Sequence, residues 1–549
     1  MGEETVSEET SPQVLIVGAG PAGLGLAIEL GHRGVPCLLV ERNNRVGYAP
    51  RAKTTNVRTC EHFRRWGIAH RLRAAAPLGI DHPSHVVFCT RLAGPGLARH
   101  ENAMYCAPGR NPLYSEHAQW IPQYAVEDIL RAHAESLPGV EIRFQCELLD
   151  LGQDAQGVTA VLRDLQHGRD VQVRAGYAVG ADGARSSVRE LIGTRMQGQY
   201  GLSRNLNIVF RAPGLAQAHR HGPAIMYWQI NRDVPSLIGP MDRGDTWFFM
   251  PTQVDERLLA SGVDARSLIA RATGIDLSYE VLSSDEWVAS RLLGDRYRKG
   301  RIFLVGDACH LHPPFGGYGM NMGIGDSVDL GWKLAATLQG WGGAGLLDSY
   351  EIERRPVHQW VLDEAVLNHS MLGNQLLADQ IEAQDETGEQ VRREVGQRIL
   401  AAKMREFSTL GVVLGYQYVD SPIVVPDGSP AASRDFINYV PTSRPGALAP
   451  HAWLHDGSSL YDHFGQGFTL LASASASEKD IEAAAAQAEA RRLPLTVIRP
   501  TEGGVANQYP ARLTLIRPDQ HVAWRGDAWP GSSVLEHVAG AAIPQGETR

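Results

Sequence analysis

Residues 14 to 42, VLIVGAGPAGLGLAIELGHRGVPCLLVER, constrain the fold of this chain more than any other stretch. An apolar strand runs into a glycine turn, then an amphipathic helix, then a second apolar strand. In such a unit Gly18 permits the tight turn, Gly20 lets backbone N–H groups approach a pyrophosphate, and Gly23 lets the helix pack close to the strand. The helix N-terminus then meets the negative charge. Glu41 closes the second strand about 20 residues beyond the turn, where a carboxylate binds ribose hydroxyls. A GxGxxG alone is a weak signal, but a strand before it and an acid after it specify a dinucleotide site.

The rest of the chain must be built around that unit. At 549 residues it is too long for one compact core, so two or three domains are expected. A formal net charge of −9 and a pI near 6.1, with no basic run, argue against nucleic acid as a partner. The longest apolar stretch, Val14 to Leu30, is broken by glycines and too short for a smooth membrane span. The N-terminal residues MGEETVSEETSPQ lack the pattern of a secretory signal and read as a mobile tail. The six cysteines, all at or before Cys309, show no CxxC pairing, which fits a reduced cytoplasmic protein.

Two further motifs choose between dinucleotides. GYAVGADGARSSVR, residues 176 to 189, places Asp182 in an Asp-Gly turn after a short apolar strand. FLVGD, residues 303 to 307, ends another apolar strand at Gly306 and Asp307, and the chain continues ACHLHPPFGGYGMN. Each alone is open to a plainer reading, since Asp-Gly is a common turn and an acid often caps a helix. Taken with GAGPAGL, PRA at 50 to 52 and IPQ at 121 to 123, they make the chain resemble the single-component FAD-dependent aromatic hydroxylases of the para-hydroxybenzoate hydroxylase and phenol hydroxylase type.

The resemblance covers most of the chain and implies an α/β fold. A Rossmann-like FAD-binding domain of the GR2 type is interleaved with an antiparallel-sheet substrate domain, and a thioredoxin-like domain without cysteines follows. The expected division is a tail at 1–12, the first FAD-binding part at 13–195 with a substrate-domain insertion near 78–118, and the substrate sheet at 196–290. The FAD domain returns at 291–365, helices and a linker fill 366–430, and the C-terminal domain spans 431–549.

The resemblance also implies site residues. Asp307 binds the ribityl chain, Arg51 and Gln123 reach the pyrophosphate or ribityl region, and Arg42 lies near the adenosine. The loop from His312 to Gly319 runs along the isoalloxazine, with Pro313 beside the reacting ring. The helix beginning near Met320 and Asn321 aims its N-terminus at the flavin N1/O2 edge, where reduced flavin carries negative charge and oriented N–H donors stabilise it. His310 and His312 sit at i, i+2 in a loop without the ligand spacing of a metal site, and the resemblance makes the first His a structural part of its motif, so no metal is expected. FAD is expected to be non-covalent, with NADPH or NADH as a transient reductant, since no second GxGxxG unit is present.

Residues 205 to 251 hold short apolar-aromatic runs between turn residues and read as successive antiparallel strands. In the resembled fold this sheet walls the substrate pocket. Tyr227, Trp228, Met241, Trp247 and Phe249 are candidates to line it, with Asn207, Arg211 and Gln229 as nearby polar groups and Tyr227 as the hydroxyl that touches a phenol. Helical patterning runs from Ser349 to about Gly411. The elements GFTLLASA, KDIEAAAAQAEARR, LPLTVIRP and ARLTLIRPDQHVAWRG then read as β-α-β and a hairpin. With no cysteine there, thiol redox exchange is excluded, and packing or oligomer contacts, such as a homodimer, remain for it.

The implied reaction uses NAD(P)H and O2 to hydroxylate a phenolic or polyketide-type aromatic substrate through a flavin C4a-hydroperoxide. The alternatives are a Baeyer–Villiger or epoxidising oxygenase of secondary metabolism, or a flavin-binding protein without turnover. The WxWxIP signature of tryptophan-type halogenases is absent.

Overall fold

The computed structural model describes residues 12–44, 53–252, 264–370, 376–501 and 503–541. A six-stranded sheet runs in the order Arg298–Lys299, Ile302–Leu304, Tyr177–Gly180, Val14–Val17, Cys37–Glu41, Val140–Phe144. All its pairings are parallel except the small edge hairpin. The strands VLIV, YAVG and IFL are buried along their whole length, as a parallel sheet covered on both faces requires. Helices Pro21–His32 and Tyr318–Leu338 pack on one another, and the Ser327 hydroxyl donates to the Ala22 carbonyl at 2.6 Å. Because the strands run in one direction, their C-terminal ends share one edge of the sheet. Gly18, Glu41, Asp182 and Asp307, which are scattered along the chain, meet there.

A second sheet has eight strands in the order His310–Leu311, Glu280–Gly294, Met196–Arg211, Thr246–Pro251, Ser236–Pro240, Met226–Gln229, Val86–Cys89, Gly96–His100. It is mixed rather than wholly antiparallel, because Met226–Gln229 runs parallel to Val86–Cys89, a strand from the early part of the chain. Its two faces serve different cores. Leu206, Ile208, Phe210, Tyr227, Ile238, Trp247 and Phe249 pack with Leu268 and Ile269 of the outer helix Ala265–Thr273. Phe88, Met226, Trp228, Leu237, Met241 and Phe248 pack with Phe315, Tyr318 and Met322, next to the dinucleotide domain.

The long helices Ser349–Ser370 and Glu386–Phe407 follow. The C-terminal unit has a four-stranded sheet ordered Leu495–Ile498, Phe468–Ala472, Leu513–Ile516, Val522–Gly526. The first pair is parallel across helix Glu478–Ala490 and the others are antiparallel, as a thioredoxin-like fold requires. Its core runs into that of the dinucleotide domain, where Phe468 stands edge-on to Trp332 and Trp341. The six cysteines are buried and unbridged. No helix among the described residues is long and apolar enough to cross a membrane.

Candidate functional site

At the dinucleotide end, backbone geometry leaves little choice of residue. Gly18 has φ +108°, and a Cβ on it would lie 2.4 Å from the Ala181 carbonyl oxygen. A Cβ on Gly23 would lie 1.9 Å from the Gly18 carbonyl oxygen. Gly20 differs from both, since nothing lies within 4 Å of its Cβ direction. The strand, turn and helix are therefore in closest contact, and the helix N-terminus opens onto space. Glu41 holds the turn, accepting from Ala19 N at 3.0 Å through one oxygen and from Asn43 N at 2.9 Å through the other. Its carboxylate is fixed at the edge where a ribose would reach it. Arg42 is exposed beside it, and Arg51 lies outside the described residues.

Asp182 is tied into its own turn. Its carboxylate accepts from the Ser186 hydroxyl and from Val188 N at 3.1 Å, capping helix Ser187–Ile192 under the Gly18 turn. Asp307 stands exposed between buried Gly306 and Ala308, just beyond the end of strand Ile302–Leu304. Gly306, at φ +60°, brings that strand end against helix Pro21–His32, where its Cβ would be 3.1 Å from Ala22 Cβ. Asp307→Ala should weaken FAD retention roughly 5- to 150-fold, the cost of leaving a sequestered hydroxyl unpaired. Cofactor occupancy after gel filtration reads this directly, and unchanged occupancy would reduce Asp307 to a turn residue.

At the other end of the cleft, helix Tyr318–Leu338 is N-capped by Gly317 at φ +67°, whose Cβ would lie 3.0 Å from Thr54 Cβ. The first N–H groups of the helix, on Tyr318, Gly319 and Met320, have no intrahelical acceptor. Nothing lies within 4 Å of the Cβ direction of Gly319. Asn321 contributes through its position and not its side chain. Its amide donates to the Thr54 carbonyl at 2.9 Å and to the Gly317 carbonyl, and its oxygen accepts from Asn56 N at 2.9 Å. Gln119–Trp120 pairs with Thr54–Thr55, which sets Gln123 in the next helix beside the same segment, with its amide donating to Glu127 at 2.7 Å. Two helix N-termini that open onto space at Gly20 and Gly319, with Glu41 beside the first, fit a long dinucleotide that carries negative charge at its pyrophosphate and, once reduced, at its ring end.

The Pro-Pro loop reaches the second sheet. Pro313 is buried, and the Phe315 ring lies 6.3 Å from that of Trp228. This contact identifies the face of the sheet that looks toward the cofactor cleft, and it corrects two sequence expectations. Tyr227 and Gln229 alternate with Trp228 and face away. The Tyr227 hydroxyl donates to the Gly222 carbonyl at 2.6 Å, and burial pushes its pKa up. Gln229 donates to Ser236 and accepts from Leu92 N, both at 2.9 Å. Arg211 is at the exposed sheet end, paired with Glu280 at 3.0 Å. Asn207 and Met241 lie on the Trp228 face, Asn207 by alternation with Leu206 and Ile208 and Met241 within the cluster of Trp228 and Phe315. Of the other aromatic candidates, Trp247 and Phe249 belong to the outer face.

One residue that organises the cleft escaped the sequence reading. Asp326, fully buried in helix Tyr318–Leu338, accepts from Gly306 N at 3.0 Å, His310 Nε2 at 2.8 Å, Arg354 Nε at 2.8 Å and His358 Nε2 at 2.9 Å. His310 therefore carries its proton on Nε2, and its bare Nδ1 accepts from His312 Nδ1 at 3.2 Å. His358 Nδ1 accepts from the Tyr297 hydroxyl at 2.7 Å. Cys309, His310 and Asp326 bring donor atoms within 4.8 Å of one another, but both Asp326 oxygens already serve protein donors. Burial also pushes the Cys309 thiol well above its usual pKa. The sequence signal was a set of charged residues, Asp326, Asp329 and Lys333, in a largely apolar helix, GIGDSVDLGWKL.

A model of the FAD binding domain family matches residues 11–365. One of the aromatic-ring hydroxylase C-terminal family matches residues 442–542. The chain is 32% identical over 552 residues to 4-methyl-5-nitrocatechol 5-monooxygenase of a Burkholderia species, covering 94% of this chain and 95% of the relative. It is 33% identical over 541 residues to tetracenomycin B2 monooxygenase-dioxygenase of Streptomyces olivaceus, with coverage of 94% and 95%. Among solved structures, the rebeccamycin biosynthetic enzyme RebC with reduced flavin superposes with a TM-score of 0.89 at 34% identity, over 97% of this chain and 99% of that one.

Proposed function

The chain belongs to the family of FAD-binding aromatic-ring hydroxylases, and from that premise we propose that it inserts one oxygen atom from O2 into a phenolic or polyketide-type aromatic ring, with NADH or NADPH as the electron donor. The observation that carries the reading is the meeting of the Phe315 loop with the Trp228 face of the large sheet. It sets an apolar aromatic wall against the N-terminus of helix Tyr318–Leu338.

FAD, once reduced, supplies the oxygen-activating chemistry, and the chain supplies everything else. Gly18, Gly20 and Gly23 admit the pyrophosphate, Glu41 takes the ribose, and Asp307 takes the ribityl chain. The free N–H groups of Tyr318, Gly319 and Met320 hold negative charge at the ring end. On the far side, Met226, Trp228, Leu237, Met241 and Phe248 bind a flat ring by burial, at about 25 cal/mol per Å² of apolar area removed from water, with Asn207 as a polar group for orientation. Excluding water there protects the reacting centre from side reactions.

The test is to load the protein with FAD and follow NADH and NADPH oxidation across phenols, naphthols, nitrocatechols and polycyclic phenols, with product mass as the second readout. Substrate-stimulated oxidation and a gain of one oxygen are expected. Oxidation that no aromatic compound stimulates would sink the reading.

A further inference from the structure

Lys53 differs from most of the buried cations of this protein. Arg354 is paired with Asp326 at 2.8 Å, Lys333 with Asp329 at 2.7 Å, Arg58 with Glu61 at 3.0 Å and Lys403 with Glu406 at 2.8 Å. Lys53 is half-buried, and among the described residues its ammonium has no acidic partner. It lies 4.1 Å from the centre of the Phe248 ring, on the face of the sheet that also carries Trp228. Its backbone is fixed by Ile121 N, which donates to the Lys53 carbonyl at 2.7 Å. The next residue, Thr54, packs against Gly317 at the cap of helix Tyr318–Leu338. Lys53 therefore spans from the cofactor side of the cleft to the sheet wall.

The same wall carries a buried donor without an acceptor. Trp228 is 1% exposed, and its indole N–H has no acceptor among the described residues. Buried polar groups are nearly always paired, so the orphan Trp228 N–H, on one apolar wall with a lysine that has no acidic partner, points to a ligand that supplies the acceptors. Phe248 and Trp228 are on strands separated by a single strand, Ser236–Pro240, which puts them roughly 10 Å apart across the sheet. That span suits a fused aromatic system with an oxygen at each end.

Building on the substrate wall proposed above, we infer that Lys53 holds an ionised oxygen of the substrate, a phenolate or a carboxylate, while the Trp228 N–H receives a neutral acceptor at the far end of the ring system. The protein then selects anionic aromatic substrates over neutral ones of the same shape. Burial without a counter-ion pushes the Lys53 amine down to about 8, and an anion beside it would restore the charged form.

The experiment uses FAD-loaded wild type, Lys53→Met and Lys53→Arg, with hydroxynaphthoate, naphthol and methoxynaphthalene as probes. Binding is read by equilibrium dialysis and by perturbation of the flavin visible spectrum, and FAD affinity is measured separately on apoprotein. Lys53→Met should weaken hydroxynaphthoate roughly 10- to 150-fold, the worth of a charge-assisted hydrogen bond. It should change methoxynaphthalene little, and Lys53→Arg should recover most of the loss. Equal weakening of all three probes, or an unchanged preference for the anion, would overturn the inference while leaving the wall in place. A fall in FAD affinity with probe selectivity intact would assign Lys53 to the cofactor and overturn it too. If wild type binds none of the probes, the wall itself is wrong and the inference falls with it.

Discussion

Asp326→Ala should give a protein that retains little FAD and is less stable than wild type by about 3–5 kcal/mol, the cost of removing one partner from a buried ionic cluster. Arg354, which is 1% exposed, would be left as a buried cation without a carboxylate. The N–H of Gly306, the imidazoles of His310 and His358 and the loop that carries Asp307 would lose their common acceptor together. Urea unfolding and flavin release monitored on one sample separate the two effects. Full FAD retention in a destabilised Asp326→Ala protein would show that the cluster supports the fold without positioning the cleft.

The cluster also sets an acid limit. Burial would raise the Asp326 carboxyl, but His358, Arg354 and His310 hold it well below the usual carboxylate range. Its stabilisation is complete above about pH 4, the unfolded value, and is lost as pH falls toward the folded one. Burial drives His358 the other way for a base, down to about 3. Between about pH 6.5 and 3 the unfolded chain therefore binds a proton that the folded chain refuses, and stability declines as pH falls. His358→Gln should flatten that limb of the curve.

The dinucleotide end was legible in the sequence because its residues act locally. Gly18, Gly23 and Glu41 lie within one β-α-β unit, and the spacing that permits the turn is the spacing that binds the cofactor. The sheet wall was less legible. Met226–Gln229 is buried on both faces, so no polar alternation marks which residues look inward, and a choice one residue off turns every side chain around. That is how the sequence reading set Tyr227 and Gln229 at the pocket together with Trp228, although Trp228 faces the opposite way from both. The Asp182 carboxylate serves a neighbouring hydroxyl and amide, because a turn or helix cap competes for such short polar groups, and the Asn321 side chain ties its helix to the Thr54 and Asn56 backbone, far away in sequence. Asp326 escaped because its partners come from Gly306, His310, Arg354 and His358, which no window of sequence joins.

The C-terminal unit meets the rest of the protein through charge as well as apolar packing, and this predicts a second large effect. Arg517, 1% exposed, donates to Glu353 at 2.5 and 2.8 Å, to Asp329 at 3.2 Å and to Asp519 at 2.7 Å. Lys333 reaches Asp329 at 2.7 Å and Glu353 at 2.5 Å. Burial alone would raise the Glu353 carboxyl, and Arg517 and Lys333 overcome it and hold it at about 2. Arg517→Leu would leave Asp329 and Glu353 with Lys333 alone, and about 3–5 kcal/mol of stability should be lost. The loss should appear first as detachment of the C-terminal unit, since Arg517 belongs to it while Asp329, Lys333 and Glu353 belong to helices of the cofactor domain. Limited proteolysis in the connecting segment should accelerate sharply, with FAD release following later. The double variant Arg517→Leu, Glu353→Gln should recover part of the stability, because it also removes one of the acids left under-compensated. Wild-type protease resistance in Arg517→Leu would mean that the apolar contact of Phe468 with Trp332 and Trp341 holds the units together without the charges.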